Sequence, residues 1–260
     1  NVYNLDELTL RNWISDGNED WDGFISDHIQ IGGEFRIQSF DGNASSGTFP
    51  MQAEIYTKVD INKNTDFYLE ASLGGSSNYE YFILFDKLPS KSWIKVGQSS
   101  PSYGLMLDDH TSFIKSGNKN SLDGDTPALD RGFRDLFDPM ANKPLIIEGG
   151  INLFKNLYMT MSLFQPLSEG YHEDLSSFSG SISYINSFGN TSLMLGSSIL
   201  EEDEISLMGI FGGVTFKNIT MMFEADLAKN LFDTIEESFA SYGQLVYKPM
   251  QGLHLIAKYD

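Results

Sequence analysis

The stretch ITMMFEADL, residues 219–227, decides how the chain is to be read. It is too apolar for a loop and too acidic for a strand buried on both faces. Taken every second residue, it separates. Ile219, Met221, Phe223, Ala225 and Leu227 fall on one side, and Thr220, Met222, Glu224 and Asp226 on the other. Successive side chains of a strand point to opposite faces, so this is a ribbon with one apolar and one mostly acidic face. What touches each face determines the fold class.

The alternation recurs. In MQAEIYTKVD (51–60), Met51, Ala53, Ile55 and Val59 oppose Gln52, Glu54, Tyr56 and Lys58. In DFYLEASL (66–73), Phe67, Leu69, Ala71 and Leu73 oppose Asp66, Tyr68, Glu70 and Ser72. HIQIGGEFRIQ (28–38) sets Ile29, Ile31, Phe35 and Ile37 against Gln30, Glu34, Arg36 and Gln38. ISLMGIFGGVTF (205–216) is blurred, being apolar or glycine on both sides. Roughly thirteen candidate strands of about 8–12 residues result, a spacing that points to a sandwich or a barrel.

The connections alternate in length. INKN (61–64), KLPSK (87–91), KN (155–156), SFGN (187–190), KN (217–218) and KPMQ (248–251) are short. LFKNLYM and TFKNITM are nearly the same hairpin used twice. The other set is longer and irregular: FDGNASSGT (40–48), the stretch 99–144, QPLSEGYHEDLSS (165–177), EEDE (201–204) and KNLFDTIE (229–236). Charge sorts with the two ends. The short turns hold Lys63, Lys87, Lys91, Lys155, Lys217 and Lys248, whereas the long connections are rich in Asp and Glu, with Glu201, Glu202, Asp203 and Glu204 in a row. Outer-membrane barrels pair short periplasmic turns with longer outer loops in this way.

Composition bounds the rest. With a formal charge of −19 over 260 residues, the chain would be repelled by nucleic-acid phosphates. Without cysteine there is no disulfide, thiolate zinc site, iron–sulfur ligation or C-x-x-C-H haem attachment. No apolar run is long enough for a membrane helix, which leaves barrel strands of about 9–11 alternating residues as the means of crossing. An inner face carrying Glu34, Arg36, Glu54, Lys58, Glu70, Glu148, Glu224 and Asp226 needs water or ion partners. Lipid outside and water inside satisfy both faces.

The predicted fold is therefore all-β: an antiparallel up-and-down transmembrane barrel of about 14 or more strands, located in the outer membrane. Residues 28–260 supply the strands, with the long connection at 99–144, and residues 1–27 form an N-terminal extension or plug segment. An odd strand count, and a last strand GLHLIAKYD (252–260) that runs toward the long-loop end, lead us to expect a portion of a larger barrel.

Motifs for chemistry are sparse. NEDWDG (18–23) opens like a calcium loop, but its twelfth position is Ile29; LDGDTPALD (122–130) is similarly an acidic turn. YHEDL (171–175) begins like H-E-x-x-H but continues with Ser176, and the four histidines are scattered. No nucleophile elbow, dinucleotide loop or phosphate loop occurs. The expectation is a chain that is not an enzyme and carries no cofactor or metal.

The segment KVGQSSPSYGLMLDDHTSFIKSG (95–117) leaves a strand, turns at Pro101 and Gly104 and enters the long connection. Loops of such length are usually functional. Asp108, Asp109, Arg131, Arg134 and Asp135 are its candidate constriction residues. Between Pro101 and Phe113 the chain resembles a group of bacterial outer-membrane porin-like barrels with a P-x-(Y/F)-G-L…D-H-T-x-(F/Y) element, but it has SSPS where many of those carry an Arg-Pro-Pro lead-in. The resemblance implies a barrel and, for some members, a multihaem c-type cytochrome partner; it supplies no catalytic residue.

The leading functional expectation is a water-filled, mildly cation-preferring channel. The alternatives are a sheath or scaffold for a partner and a soluble extracellular β-sandwich. Expected partners are membrane lipid and lipopolysaccharide, the latter bridged by divalent cations to the acidic rim, together with a multihaem cytochrome or further copies of the chain.

Overall fold

The computed structural model describes residues 28–41, 46–72, 79–105, 143–167, 174–232, 235–250 and 253–259. Thirteen strands lie within them. They are β1 (Ile29–Asp41), β2 (Ser46–Asn62), β3 (Thr65–Ser72), β4 (Tyr79–Leu88), β5 (Ser92–Gln98), β6 (Leu145–Phe154) and β7 (Leu157–Phe164). The remainder are β8 (Ser177–Phe188), β9 (Thr191–Glu202), β10 (Ile205–Phe216), β11 (Ile219–Phe232), β12 (Ile235–Met250) and β13 (Leu253–Tyr259). They form one sheet in chain order, each strand antiparallel to the next. A single meander sets aside the alternative of two facing sheets. Among the described residues β1 and β13 are not paired, so the wall is open along that seam.

The strand of the opening stretch, β11, shows why the wall forms. Met221, Phe223 and Leu227 are 54%, 44% and 51% exposed, whereas Glu224 is 5% exposed. The same parity runs through the sheet. Ile83 and Phe85 on β4, Ile147 on β6, Leu163 on β7, Ile199 on β9, Ile210 on β10 and Leu245 on β12 are all exposed on the outer face. In water, so much contiguous apolar surface would drive aggregation; against acyl chains it is the favourable face. From Ile219 to Leu227 the apolar run covers about 27 Å along the strand, or about 20 Å along the axis of a barrel with tilted strands.

The blurred segment 205–216 resolves into the same two faces. Leu207 and Phe211 point inward and are buried, while Met208, Ile210 and Phe216 are exposed outside. Its inner apolar residues belong to packing inside the wall. One cluster joins Tyr103, Ile146, Phe164, Leu200, Leu207 and Ala228. A second joins Leu105, Ile185, Met194, Phe211 and Tyr242, and a third Tyr68, Phe82 and Leu84.

The tight end is built as expected. Lys155–Asn156, Gly189–Asn190 and Lys217–Asn218 are two-residue turns, with positive φ at Asn156 (70°), Gly189 (60°) and Lys217 (52°). Such turns match the twist of the strands they join. Three connections expected to be long are largely strand or tight turn; of FDGNASSGT, residues 40–41 belong to β1 and 46–48 to β2. EEDE is a two-residue turn at Asp203–Glu204, with Glu201 and Glu202 inside β9. KNLFDTIE lies mostly in strands, because β11 runs to Phe232 and β12 begins at Ile235. Charged residues continue these ladders because backbone pairing, as in Lys229 opposite Glu237, does not depend on apolar side chains. The proposed extension 1–27, the acidic turns 18–23 and 122–130 and the connection from 106 to 142 lie outside the described residues.

Candidate functional site

The long connection leaves and returns at one point of the wall, where Ser99 N donates to Pro144 O at 3.0 Å. Its first residues, Ser99–Leu105, turn inward. Pro101, Tyr103, Gly104 and Leu105 are all buried. Ser102 N donates to Glu148 Oε2 on β6 at 2.9 Å. Gly104 N donates to Ser198 Oγ on β9 at 3.2 Å, and Leu105 N to Glu224 Oε1 on β11 at 3.1 Å. The Tyr103 hydroxyl donates to Asp226 Oδ1 at 3.1 Å. The segment thus leaves β5 and is anchored to a strand six places further round the sheet. Burial above all, then the charge of Asp226, holds the Tyr103 hydroxyl well above a phenol's ordinary range, which keeps it a neutral donor.

Two glycines make the crossing feasible. Gly104 has φ +60°, and a Cβ there would lie 1.6 Å from Glu224 Oε1. Gly209 on β10 leaves room for its neighbours, since its Cβ would meet Asp226 Oδ1 at 2.2 Å and Tyr103 Oη at 3.0 Å. Gly104→Ala should therefore release the segment, costing about 2 kcal/mol from left-handed backbone strain and the displaced carboxylate. Hydrogen exchange checks it: the Gly104 and Leu105 amides should lose protection while the β9–β11 ladder keeps its own. Unchanged protection at Leu105 would show that the pinning is not as described.

Behind the segment lies a buried polar relay. Lys95 Nζ on β5 is 2.9 Å from Glu148 Oε1, with the two side chains 3% and 0% exposed. Lys95 also donates to Ser99 Oγ at 3.0 Å, and Ser99 donates to Glu80 Oε1 on β4 at 2.5 Å. Lys143 pairs with the other Glu80 oxygen. Ser162 Oγ on β7 donates to Glu148 Oε2 at 2.5 Å. Every charge here has an opposite charge or a donor in contact, which buried ions require.

The inner-face candidates separate into three groups. Glu148, Glu224 and Asp226 are brought together by the inserted segment, as anchors rather than as an open acidic ring. Glu54 and Glu70 are half-buried on β2 and β3, and the register puts residue 34 opposite Glu54 and residue 36 opposite Gln52. Lys58 stands apart, 2.6 Å from Asp60 and 3.5 Å from Asp66 near the tight end. Asp108, Asp109, Arg131, Arg134 and Asp135 lie outside the described residues. The sequence reading missed Glu80, Lys95, Ser99, Tyr103 and Ser198. Glu80 and Lys95 were detectable by parity, since both share a face with Phe82 and Leu84. Ser198 carries no local signal. Among the described residues no group of three or more His, Cys, Asp or Glu is arranged to hold a metal.

An apolar outer belt, a charged and hydrogen-bonded interior and a chain-order meander define the wall of a transmembrane β-barrel of the outer membrane. No family model matches the chain, and no curated protein does. Among solved structures it is similar to OmpTdeltaL8, a loop L8 deletion mutant of OmpT, an outer membrane protein of Vibrio cholerae. That match has 12% identity, covers 89% of this chain and 92% of that one, and has a TM-score of 0.40. In-vitro folded OmpT from the same organism matches at 10% identity over 91% of this chain and 88% of that one, with a TM-score of 0.42. The expectation that the chain is not an enzyme is corrected: the lack of a familiar catalytic motif in the sequence does not exclude catalysis.

Proposed function

We propose that the chain forms a mildly cation-preferring channel in the outer membrane, narrowed from within by residues 99–105. The observation that carries this reading is the inserted segment itself. Through Tyr103 it packs against Ile146, Phe164, Leu200, Leu207 and Ala228 on strands between β6 and β11, whereas the half-buried carboxylates Glu54 and Glu70 are on β2 and β3. Acidic side chains along a wet path raise the local cation concentration over about a Debye length, roughly 10 Å at 0.1 M salt. The full-length barrel in planar bilayers should show ohmic conductance and a cation-selective reversal potential in a salt gradient. Glu54→Gln with Glu70→Gln should move that potential toward zero, and raising salt should do the same.

A second reading is favoured by the apolar clusters, which fill part of the interior with side chains. It is a plugged barrel acting as a scaffold, with a partner such as a multihaem cytochrome. Insertion without conductance, both in the parent and in Gly104→Ala, would select it over the channel. The exposed Glu201, Asp203 and Glu204 at the loop end suit divalent cations that bridge to lipopolysaccharide, whereas Glu202 is turned inward and accepts from Leu167 N at 2.9 Å.

A further inference from the structure

At the tight end of the wall from β6 to β12, the turn-bearing sequence supplies lysines and no carboxylate. In a chain with 36 Asp and Glu, the turn-bearing segments 151–160, 183–194, 213–222 and 243–257 contain none. They do contain Lys155, Lys217 and Lys248, each in or beside a turn. Lys155 and Lys217 are exposed. Backbone bonds tie these turns to what lies beside them: Ile185 N on β8 to Asn156 O at 2.9 Å, Lys217 N in the neighbouring turn to Asn190 O at 3.1 Å, and Lys248 N on β12 to Asn218 O at 2.8 Å.

Aromatic side chains mark the level of the same rim. Phe188, Phe216 and Tyr247 are exposed on the outer face, and Phe154 is 74% exposed beside Lys155. The Lys217 ammonium lies 5.2 Å from the Phe216 ring centroid. Aromatic rings of a barrel settle at the lipid headgroup level. The lysines next to them in sequence are therefore held where phosphates lie.

We propose that the acid-free turn rim between β6 and β12 binds anionic phospholipid headgroups, with Lys155 and Lys217 supplying the charge. Charge complementarity selects this occupant. The rim has positive charge at headgroup depth, and the chain itself brings no carboxylate to those segments. Four strand spacings separate the two turns, about 19 Å, so each lysine serves its own lipid.

Native mass spectrometry of the full-length barrel in neutral detergent tests this, with phosphatidylglycerol and phosphatidylcholine offered in equal amounts. Phosphatidylglycerol should be retained in preference, and less so as salt rises. Lys155→Gln with Lys217→Gln should lower its retention about fivefold per lysine while leaving phosphatidylcholine unchanged. The corresponding Lys→Arg pair should keep the preference. Equal retention of the two lipids by the parent protein, or a preference that survives the Gln pair, would overturn the proposal. Should the Gln pair fail to fold, the parent alone decides. Retention that does not change between about 0.05 M and about 0.5 M salt would exclude an electrostatic headgroup contact.

Discussion

Lys95→Met should destabilise the barrel by about 3–5 kcal/mol, among the largest single losses the wall can show. The side chains of Lys95 and Glu148 are 3% and 0% exposed and 2.9 Å apart. With the lysine gone, Glu148 keeps the Ser102 amide and the Ser162 hydroxyl as donors but no opposite charge. A carboxylate in that position would have lost its water without compensation. Ser99, which accepts from Lys95, would be disturbed as well, and with it the root of the inserted segment. Methionine retains most of the stem volume, so lost packing contributes little; the ammonium's contact with the Phe82 ring, 5.4 Å to the centroid, goes with the charge. Urea unfolding of the barrel in lipid vesicles gives the number. The double variant Lys95→Met with Glu148→Met should recover a substantial part of the loss, because removing both charges removes the desolvation problem. Losses that simply add would show that the two residues do not act as a pair.

Phe223→Arg should cost about 2–4 kcal/mol, as expected for a charge on the lipid face near the midplane. Phe223 is 44% exposed, and the outward neighbours on its strand, Met221 and Leu227, are exposed too. Its ring also covers Gly212 on β10, where an added Cβ would meet it at 2.8 Å. The adjacent residue gives the contrast. Glu224 faces the interior and accepts from Leu105 N at 3.1 Å. Glu224→Gln keeps a carbonyl acceptor in place and should cost about 1 kcal/mol, the difference between a charge-assisted and a neutral hydrogen bond. Both variants can be measured by the same unfolding experiment. Equal losses at 223 and 224 would mean that the outer face is packed against protein rather than lipid.

Local alternation is enough to define the wall. A period of two is a local property, because the strand geometry of each residue sends its side chain to one face regardless of distant partners. That is why residues 219–227 and 66–72 could be assigned to an apolar outside and a polar inside, and why the Lys-Asn turns at 155–156 and 217–218 fell where expected. Even the blurred segment 205–216 obeyed the rule, since its inward Leu207 and Phe211 meet side chains from other strands across the interior.

What fills the inside is set by contacts between segments far apart in the chain. Tyr103 and Asp226 are 123 residues apart, and Ser102 and Glu148 are 46 apart. No periodicity links positions so distant, and a Pro-Ser-Tyr-Gly-Leu stretch reads equally well as an outer loop. The same limit applied to charge. Alternation placed Glu148 and Glu224 on the inner face, but not the Lys95 ammonium against the first or the Leu105 amide against the second. Nor could loop composition reveal that EEDE is a two-residue turn, because backbone ladders carry charged side chains as readily as apolar ones. Side-chain direction is set residue by residue along the chain, whereas the pairing of buried polar groups depends on which strands curl round to face one another.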